Sequence, residues 1–187
     1  VSARFEFLTT PLSGLQLIRR LPVQDERGWL ERMYCAEEFA ALLPAHSIAQ
    51  INRTATRLTG TVRGMHYQRP PHAESKLISC LKGSVFDVAV DVRRSSPTFL
   101  HWHAERLSAE NRHALLIPAG FAHGFQTLEP DCELLYLHTA HYVPQSEAAL
   151  NASDARLAIA WPLPLSVQSA RDAAHPAVTD EFLGVEL

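Results

Sequence analysis

Ser84-Val85-Phe86-Asp87-Val88-Ala89-Val90-Asp91-Val92-Arg93 decides the fold class. Phe86, Val88, Val90 and Val92 fall on one side of an extended chain, and Asp87, Asp91 and Arg93 on the other. This is the alternation of a half-buried antiparallel strand. Its second side carries carboxylates, so that side is expected to face solvent or a polar cavity. Working outward, short apolar runs recur between Gly, Pro, Asn and Ser: residues 15–21, 29–35, 47–52, 60–67, 77–81, 100–107, 114–117, 124–128, 133–139 and 157–161. Many short strands at regular spacing predict a sandwich or barrel. Lys82-Gly83, Ser95-Ser96-Pro97 and Ala109-Glu110-Asn111 supply residues that tolerate tight turns. Helices are expected to be short and peripheral. One is predicted over 37–43, with Glu37 and Glu38 in its first turn and Pro44 closing it, and another over 169–174, stopped before Pro176.

The chain has 187 residues, 47% of them hydrophobic, enough for one globular domain with a substantial core. The reading places the core over about 16–165, with 166–187 packing on it. Neither repeats nor a linker interrupt it, and the 12 prolines are scattered. A formal charge of −3 argues against a protein that wraps nucleic acid, which needs a surplus of Lys and Arg. There is no apolar run of the ~20 residues that cross a bilayer, and the first residues lack a signal-peptide layout, so the expected location is cytoplasmic with no membrane partner. Cys35, Cys80 and Cys132 are odd in number and widely spaced, and read as small buried hydrophobes.

Ten histidines raise the question of a metal. His101, His103 and Glu105 share one strand face, but the glycine spacing that flanks a metal site in double-stranded barrels is missing, so they read as a polar strand face. A denser constellation runs from Thr61 to Pro71, through Arg63-Gly64-Met65-His66-Tyr67-Gln68, with Lys76 close behind. Simple alternation groups Arg63, Met65 and Tyr67 on one side and Val62, Gly64, His66 and Gln68 on the other. Gly64 leaves room for close approach beside His66. A third cluster, Ile117-Pro118-Ala119-Gly120-Phe121-Ala122-His123-Gly124-Phe125, predicts a shaped bend presenting His123. Tyr136, Tyr142 and Ser169-Ala170-Arg171-Asp172 follow.

Taken in order, these segments resemble the dTDP-4-dehydrorhamnose 3,5-epimerase family. The match runs from Asp25-Glu26-Arg27-Gly28 through Arg63–Gln68, Lys76-Leu77, Phe86–Arg93, Ser96–Phe99, Leu107–Asn111, Ile117–Phe125, Tyr142-Val143-Pro144 and Trp161-Pro162 to Arg171–Pro176. The resemblance implies an all-β double-stranded β-helix, the jelly roll of RmlC-like cupins. It implies a homodimer, neither metal nor organic cofactor, and inversion of C3 and C5 of a nucleotide-linked 4-keto-6-deoxyhexose. Both carbons flank a ketone, so their protons leave once the enolate is stabilised.

By position, the resemblance makes His66 the base, Asp172 the carboxylate that orients it, Lys76 the cation at the C4 oxygen and Tyr136 the acid on the opposite face. His123 would line the sugar pocket. Arg27, Arg63, Gln50 and Asn52 would hold the diphosphate and sugar, with Arg171 nearby, and Tyr142 would stack on the base. Leu30 stands where thymidylyl-type members carry a second stacking aromatic, and Arg32 where they carry a glutamate. Glu31, one position away, is the candidate for that contact. Leu137 replaces a lysine that often follows the tyrosine. Residues near Arg27-Gly28 are expected to reach the neighbouring subunit's pocket, and Arg27, Arg63, Lys76 and Arg171 to converge on one cavity. Three alternatives stay open: a mono-epimerase on another nucleotide sugar, a metal-dependent cupin enzyme using His66, His72, His123 or the His101/His103 pair, and a silent sugar-binding module.

Overall fold

A computed structural model describes residues 3–43 and 48–187. Its strands are β1 (Phe5–Thr9), β2 (Gln16–Arg20), β3 (Val23–Asp25), β4 (Gly28–Leu30), β5 (Gln50–Thr56), β6 (Val62–Gln68), β7 (Lys76–Lys82), β8 (Ser84–Asp91), β9 (Trp102–Ser108), β10 (His113–Ile117), β11 (Phe121–Thr127), β12 (Cys132–His138) and β13 (Glu147–Ala149); α1 (Ala170–Ala173) is a single turn. One six-stranded sheet has the order β1-β2-β10-β7-β12-β5, and a five-stranded sheet the order β13-β6-β11-β8-β9. From β5 to β12 the chain mostly alternates between the sheets, as a jelly roll requires. Gly83, with φ +73°, turns the corner from β7 to β8. A Cβ there would lie 2.7 Å from Cys132 Sγ, so only glycine fits without displacement.

Three apolar layers result. Ile78, Val85, Ala89, Leu115, Phe125 and Leu134 pack between the sheets together with Cys80 and Cys132. Those two cysteines are buried and free, and Cys35 is half-buried and also free. Outside the five-stranded sheet, Val62, Met65, Val88, Val90 and Val92 pack against Leu150, Leu157, Val178 and Val185. Outside the six-stranded sheet, Ile18, Leu77, Leu116 and Leu137 pack against Phe39 and Leu43. Each fully buried aliphatic side chain contributes about 1.5–3 kcal/mol.

β8 is therefore buried on both sides, not half-buried. Its valine face lies under the segment after residue 147, and the carboxylate face turns inward, where Asp87 and Asp91 are fully buried. Residues 166–187 are held by bridges from Val167 to Thr61 and from Val185 to Arg93.

Several local expectations need correction. The strand over 29–35 stops at Leu30, because Glu31 turns inward to an ion pair with Arg20 at 3.1 Å. Residues 37–43 form successive turns instead of a helix, anchored by buried Phe39; Pro44 lies outside the described residues. So does Ser47 of the predicted 47–52 strand, and β5 begins at Gln50. Residues 157–161 cross the outer sheet face without a ladder partner. There the Asp154 carboxylate gathers the N–H groups of Arg156, Leu157 and Val178 in place of strand bonds. β1, β3 and β13 lie outside the expected strands. No helix among the described residues is long and apolar enough to cross a membrane.

Candidate active site

The two sheets diverge at one end to enclose a cavity of about 720 Å³. Its first wall is β6 and β11. Opposite His66 stands His123, but Arg63 pairs with Phe125, so β6 carries one extra residue in this stretch. This bulge resets the alternation. Met65 packs with Val62 and Tyr67 in the outer core, whereas Arg63, His66 and Gln68 line the cavity, which Val62 and Tyr67 also touch; the grouping of Arg63 with Met65 is overturned. The bulge depends on two glycines in contact: a Cβ on Gly64, whose φ is +133°, would meet Gly124 Cα at 2.5 Å.

His66 Nε2 bonds to Asp172 Oδ1 at 2.8 Å, and the Gly64 N–H donates to Asp172 Oδ2 at 3.4 Å. Asp172 sits in α1, where the Ser169 hydroxyl caps its own N–H at 3.0 Å. Burial would raise the Asp172 carboxyl, but its bonds from His66 and Gly64 outweigh this and hold it below the usual range. Burial lowers His66 below the usual imidazole value, and Asp172 offsets only part of that. His66 is accordingly neutral at pH 7. With Nε2 directed to Asp172, Nδ1 is the nitrogen left to accept a proton.

The facing wall carries Lys76 on β7 and Tyr136 on β12. Burial pushes the Tyr136 phenol well above its usual value, and Asp87 adds to the effect, so Tyr136 keeps its proton. Buried Lys76 donates to the His66 carbonyl at 3.2 Å and lies 3.4 Å from Glu74. Burial lowers its ammonium, with Glu74 opposing. His123 Nε2 bonds to the Asp87 carboxylate at 2.9 Å, and its ring meets Tyr136 edge-on with centroids 5.9 Å apart. At the mouth, Arg171 makes two 3.0 Å bonds to Glu147, which also accepts from the Tyr142 hydroxyl at 2.9 Å.

A histidine–carboxylate pair, a tyrosine and a lysine thus surround one space, with His66 on one sheet and Tyr136 and Lys76 on the sheet facing it. A family model for dTDP-4-dehydrorhamnose 3,5-epimerase matches residues 9–180. The chain belongs to this epimerase family. It is similar to the dTDP-4-dehydrorhamnose 3,5-epimerase of Salmonella typhimurium, at 42% identity over 161 residues, covering 85% of this chain and 87% of the relative. Among solved structures it is similar to a Legionella pneumophila dTDP-6-deoxy-D-glucose-3,5-epimerase in complex with dTDP-4-keto-L-rhamnose: TM-score 0.90, 37% identity, 98% of each chain covered. ChmJ, a 3′-monoepimerase from Streptomyces bikiniensis solved with dTDP-quinovose, has a TM-score of 0.83 at 32% identity, covering 91% of this chain and 86% of its own. The fold is the jelly roll of these epimerases, and the chain is a carbohydrate epimerase of the isomerase class.

Within this epimerase, His66, Asp172, Lys76, Tyr136, Arg63, Asn52, His123, Tyr142 and Arg171 all line the cavity. Gln50 stands at the rim, where its side-chain oxygen accepts from the Tyr142 N–H at 3.3 Å. Arg27 and Glu31 do not reach it. Arg27 is on the exposed β3–β4 hairpin, paired with Asp25 at 2.6 Å, so Arg63, Lys76 and Arg171 converge without it. Glu31 is buried between Arg20 and Arg112, on a different part of the molecule from the cavity.

Of the histidines of the metal reading, His66 and His123 face the cavity, and ligand atoms of His66, Asp172 and His175 lie within 4.8 Å of one another, whereas His72 bonds to Ser146, His103 pairs with Glu105 on β9 and His101 is exposed. Sequence reasoning missed Glu147, Glu74, His138 and the partnership of Asp87 with His123. The spacing of His138 two residues after Tyr136, which puts both on one strand face, was the available signal.

Proposed function

We propose that this epimerase inverts C3 and C5 of dTDP-4-dehydro-6-deoxyglucose without a cofactor. The observation that supports the reading best is the opposition of His66–Asp172 on one wall to Tyr136 and Lys76 on the other. His66 Nδ1 takes the proton from C5, and the electron pair moves through the C4 carbonyl to an enolate oxygen. Lys76 stabilises that oxygen in a site of low dielectric. Tyr136 returns a proton to the same carbon from the opposite face, which inverts it. Solvent then reprotonates the phenolate and removes the proton from His66, and C3, on the other flank of the ketone, follows by the same sequence. Arg63, held by its Nε bond to Thr56 at 3.1 Å, and Arg171 face the diphosphate, for which a planar guanidinium fork is suited. Asn52, Gln50 and His123 contact the sugar, and Tyr142 stacks on the base.

Further, the chain works as a homodimer in the cytoplasm. The β3–β4 hairpin carries Trp29 and Leu30, 60% and 66% exposed, and in a dimer it brings Arg27 to the partner's cavity. Incubation with dTDP-4-dehydro-6-deoxyglucose in D2O tests the activity: deuterium is expected at both C3 and C5, in a product inverted at both. Exchange at neither carbon refutes the assignment, and exchange at one alone makes the enzyme a mono-epimerase.

A further inference from the structure

Beside Lys76 and Tyr136 lies a third histidine–carboxylate pair, to which the scheme above gives no part. Glu74, in the loop entering β7, divides its two oxygens. Oε1 is 3.4 Å from Lys76 Nζ, and Oε2 accepts from His138 Nδ1 at 2.9 Å. All three side chains are largely buried, at 8% exposed for Glu74, 9% for Lys76 and 12% for His138. His138 stacks parallel to Tyr136, with centroids 6.0 Å apart and ring planes 7° apart. Its Nε2 faces the Asn52 side-chain amide at 3.5 Å. The amide can only donate there, so Nε2 accepts and Nδ1 carries the hydrogen. His138 therefore donates through Nδ1 and fixes one oxygen of Glu74, leaving the other to Lys76.

We propose that Glu74, clamped by His138, is the positioning residue that keeps Lys76 protonated and aims its ammonium into the cavity. This rests on the role given to Lys76 above. Lys76 lies across the ladder from His138 on β12, bonds to the His66 carbonyl of β6, and also feels Glu147 of β13 and Asp87 of β8. Asp87 is engaged by His123 of β11, and Glu147 by Arg171 and Tyr142. Glu74 is the carboxylate whose oxygen points at Nζ. Without it a buried ammonium loses its nearest counter-charge and gives up its proton more easily.

The test compares Glu74→Gln, which keeps the shape, with Glu74→Asp, which keeps the charge. A neighbouring charge shifts a titration by about one to three units. In Glu74→Gln the alkaline limb of the kcat profile is expected to fall by about one unit or more, with activity recovering as pH is lowered. In Glu74→Asp it moves less. A limb unmoved in Glu74→Gln, or a larger shift in the Asp variant, overturns the proposal. Should the Gln variant not fold, the 13Cε titration of Lys76 in wild type and Glu74→Asp and His138→Phe decides the point. A midpoint common to all three overturns it. The NMR titration needs no substrate, so it still reports on Glu74 if wild-type enzyme fails to turn over the proposed sugar.

Discussion

Replacing Asp172 with Asn tests the base most directly, because the change exchanges one carboxylate oxygen for an NH2 group and removes one charge. In the native site Asp172 accepts from both His66 Nε2 and the Gly64 N–H. Asn can accept only through one atom. Turned one way, its amide opposes the Gly64 N–H, donor against donor. Turned the other, it donates to Nε2, moves the imidazole proton to Nδ1 and occupies the nitrogen that must take the substrate proton. The lost charge adds to this. A carboxylate within hydrogen-bond distance supports an imidazolium by about one to three pKa units, or about 1.4–4 kcal/mol. His66 keeps a side chain 29% exposed, so solvent screening puts the electrostatic part in the lower half of that range. The wrong tautomer supplies the rest, and in the hydrolase His–Asp arrangement the same substitution lowers kcat by about 10^4.

For Asp172→Asn we expect kcat to fall by about 10^3- to 10^4-fold, equivalent to about 4–5.5 kcal/mol of barrier. The acid limb of the pH profile, set by the need for neutral His66, moves to lower pH because the imidazole loses its anionic partner. The assay is deuterium uptake at C3 and C5 followed by NMR from pH 5 to 9. Activity within tenfold of wild type at pH 8, or an acid limb that moves upward, refutes the assignment of the pair.

Tyr136→Phe removes the acid but not the base, so isotope washout should outlast inversion; equal loss of both speaks against the phenol as donor. Gly64→Ala places a methyl group 2.5 Å from Gly124 Cα at φ +133°, and should destabilise the fold by about 3 kcal/mol from overpacking and backbone strain, readable in urea unfolding; a stability loss under 1 kcal/mol would mean that the bulge relaxes freely. Glu31→Gln breaks a buried ion cluster and should cost about 3–5 kcal/mol of stability with kcat and KM of the folded fraction unchanged; a raised KM with intact stability would return Glu31 to the substrate.

Alternation in Ser84–Arg93 separated the two faces of β8 correctly, yet it did not reveal which face was inward. That ambiguity is physical: a strand between two apolar layers buries both sides, and only the layer beyond distinguishes them. The Gly64 bulge was invisible for a related reason. Its cause, contact with Gly124, joins residues that meet only after β6 and β11 pair. The same limit applies to Glu74 and His138, 64 residues apart, and to Glu31, whose fate depends on Arg20 of β2 and Arg112 of the turn before β10. His66, Lys76, Tyr136 and Asp172, which line one cavity, were singled out through family likeness; periodicity alone left His66 one of ten histidines. Secondary structure failed where side chains took over backbone bonding, as Asp154 does across 154–178.

The catalytic pair joins residues 106 positions apart, and this gives the order of synthesis a consequence. At about 5–20 residues per second, His66 leaves the ribosome about 5–20 s before Asp172. By the end of that interval every strand of both sheets has been made, and a nascent barrel can assemble with its imidazole, lysine and tyrosine already in place. It lacks the carboxylate that, on the proposed scheme, makes the imidazole a competent base. On that scheme deprotonation is expected only once translation has passed Asp172, in the segment that also covers the outer face of the smaller sheet.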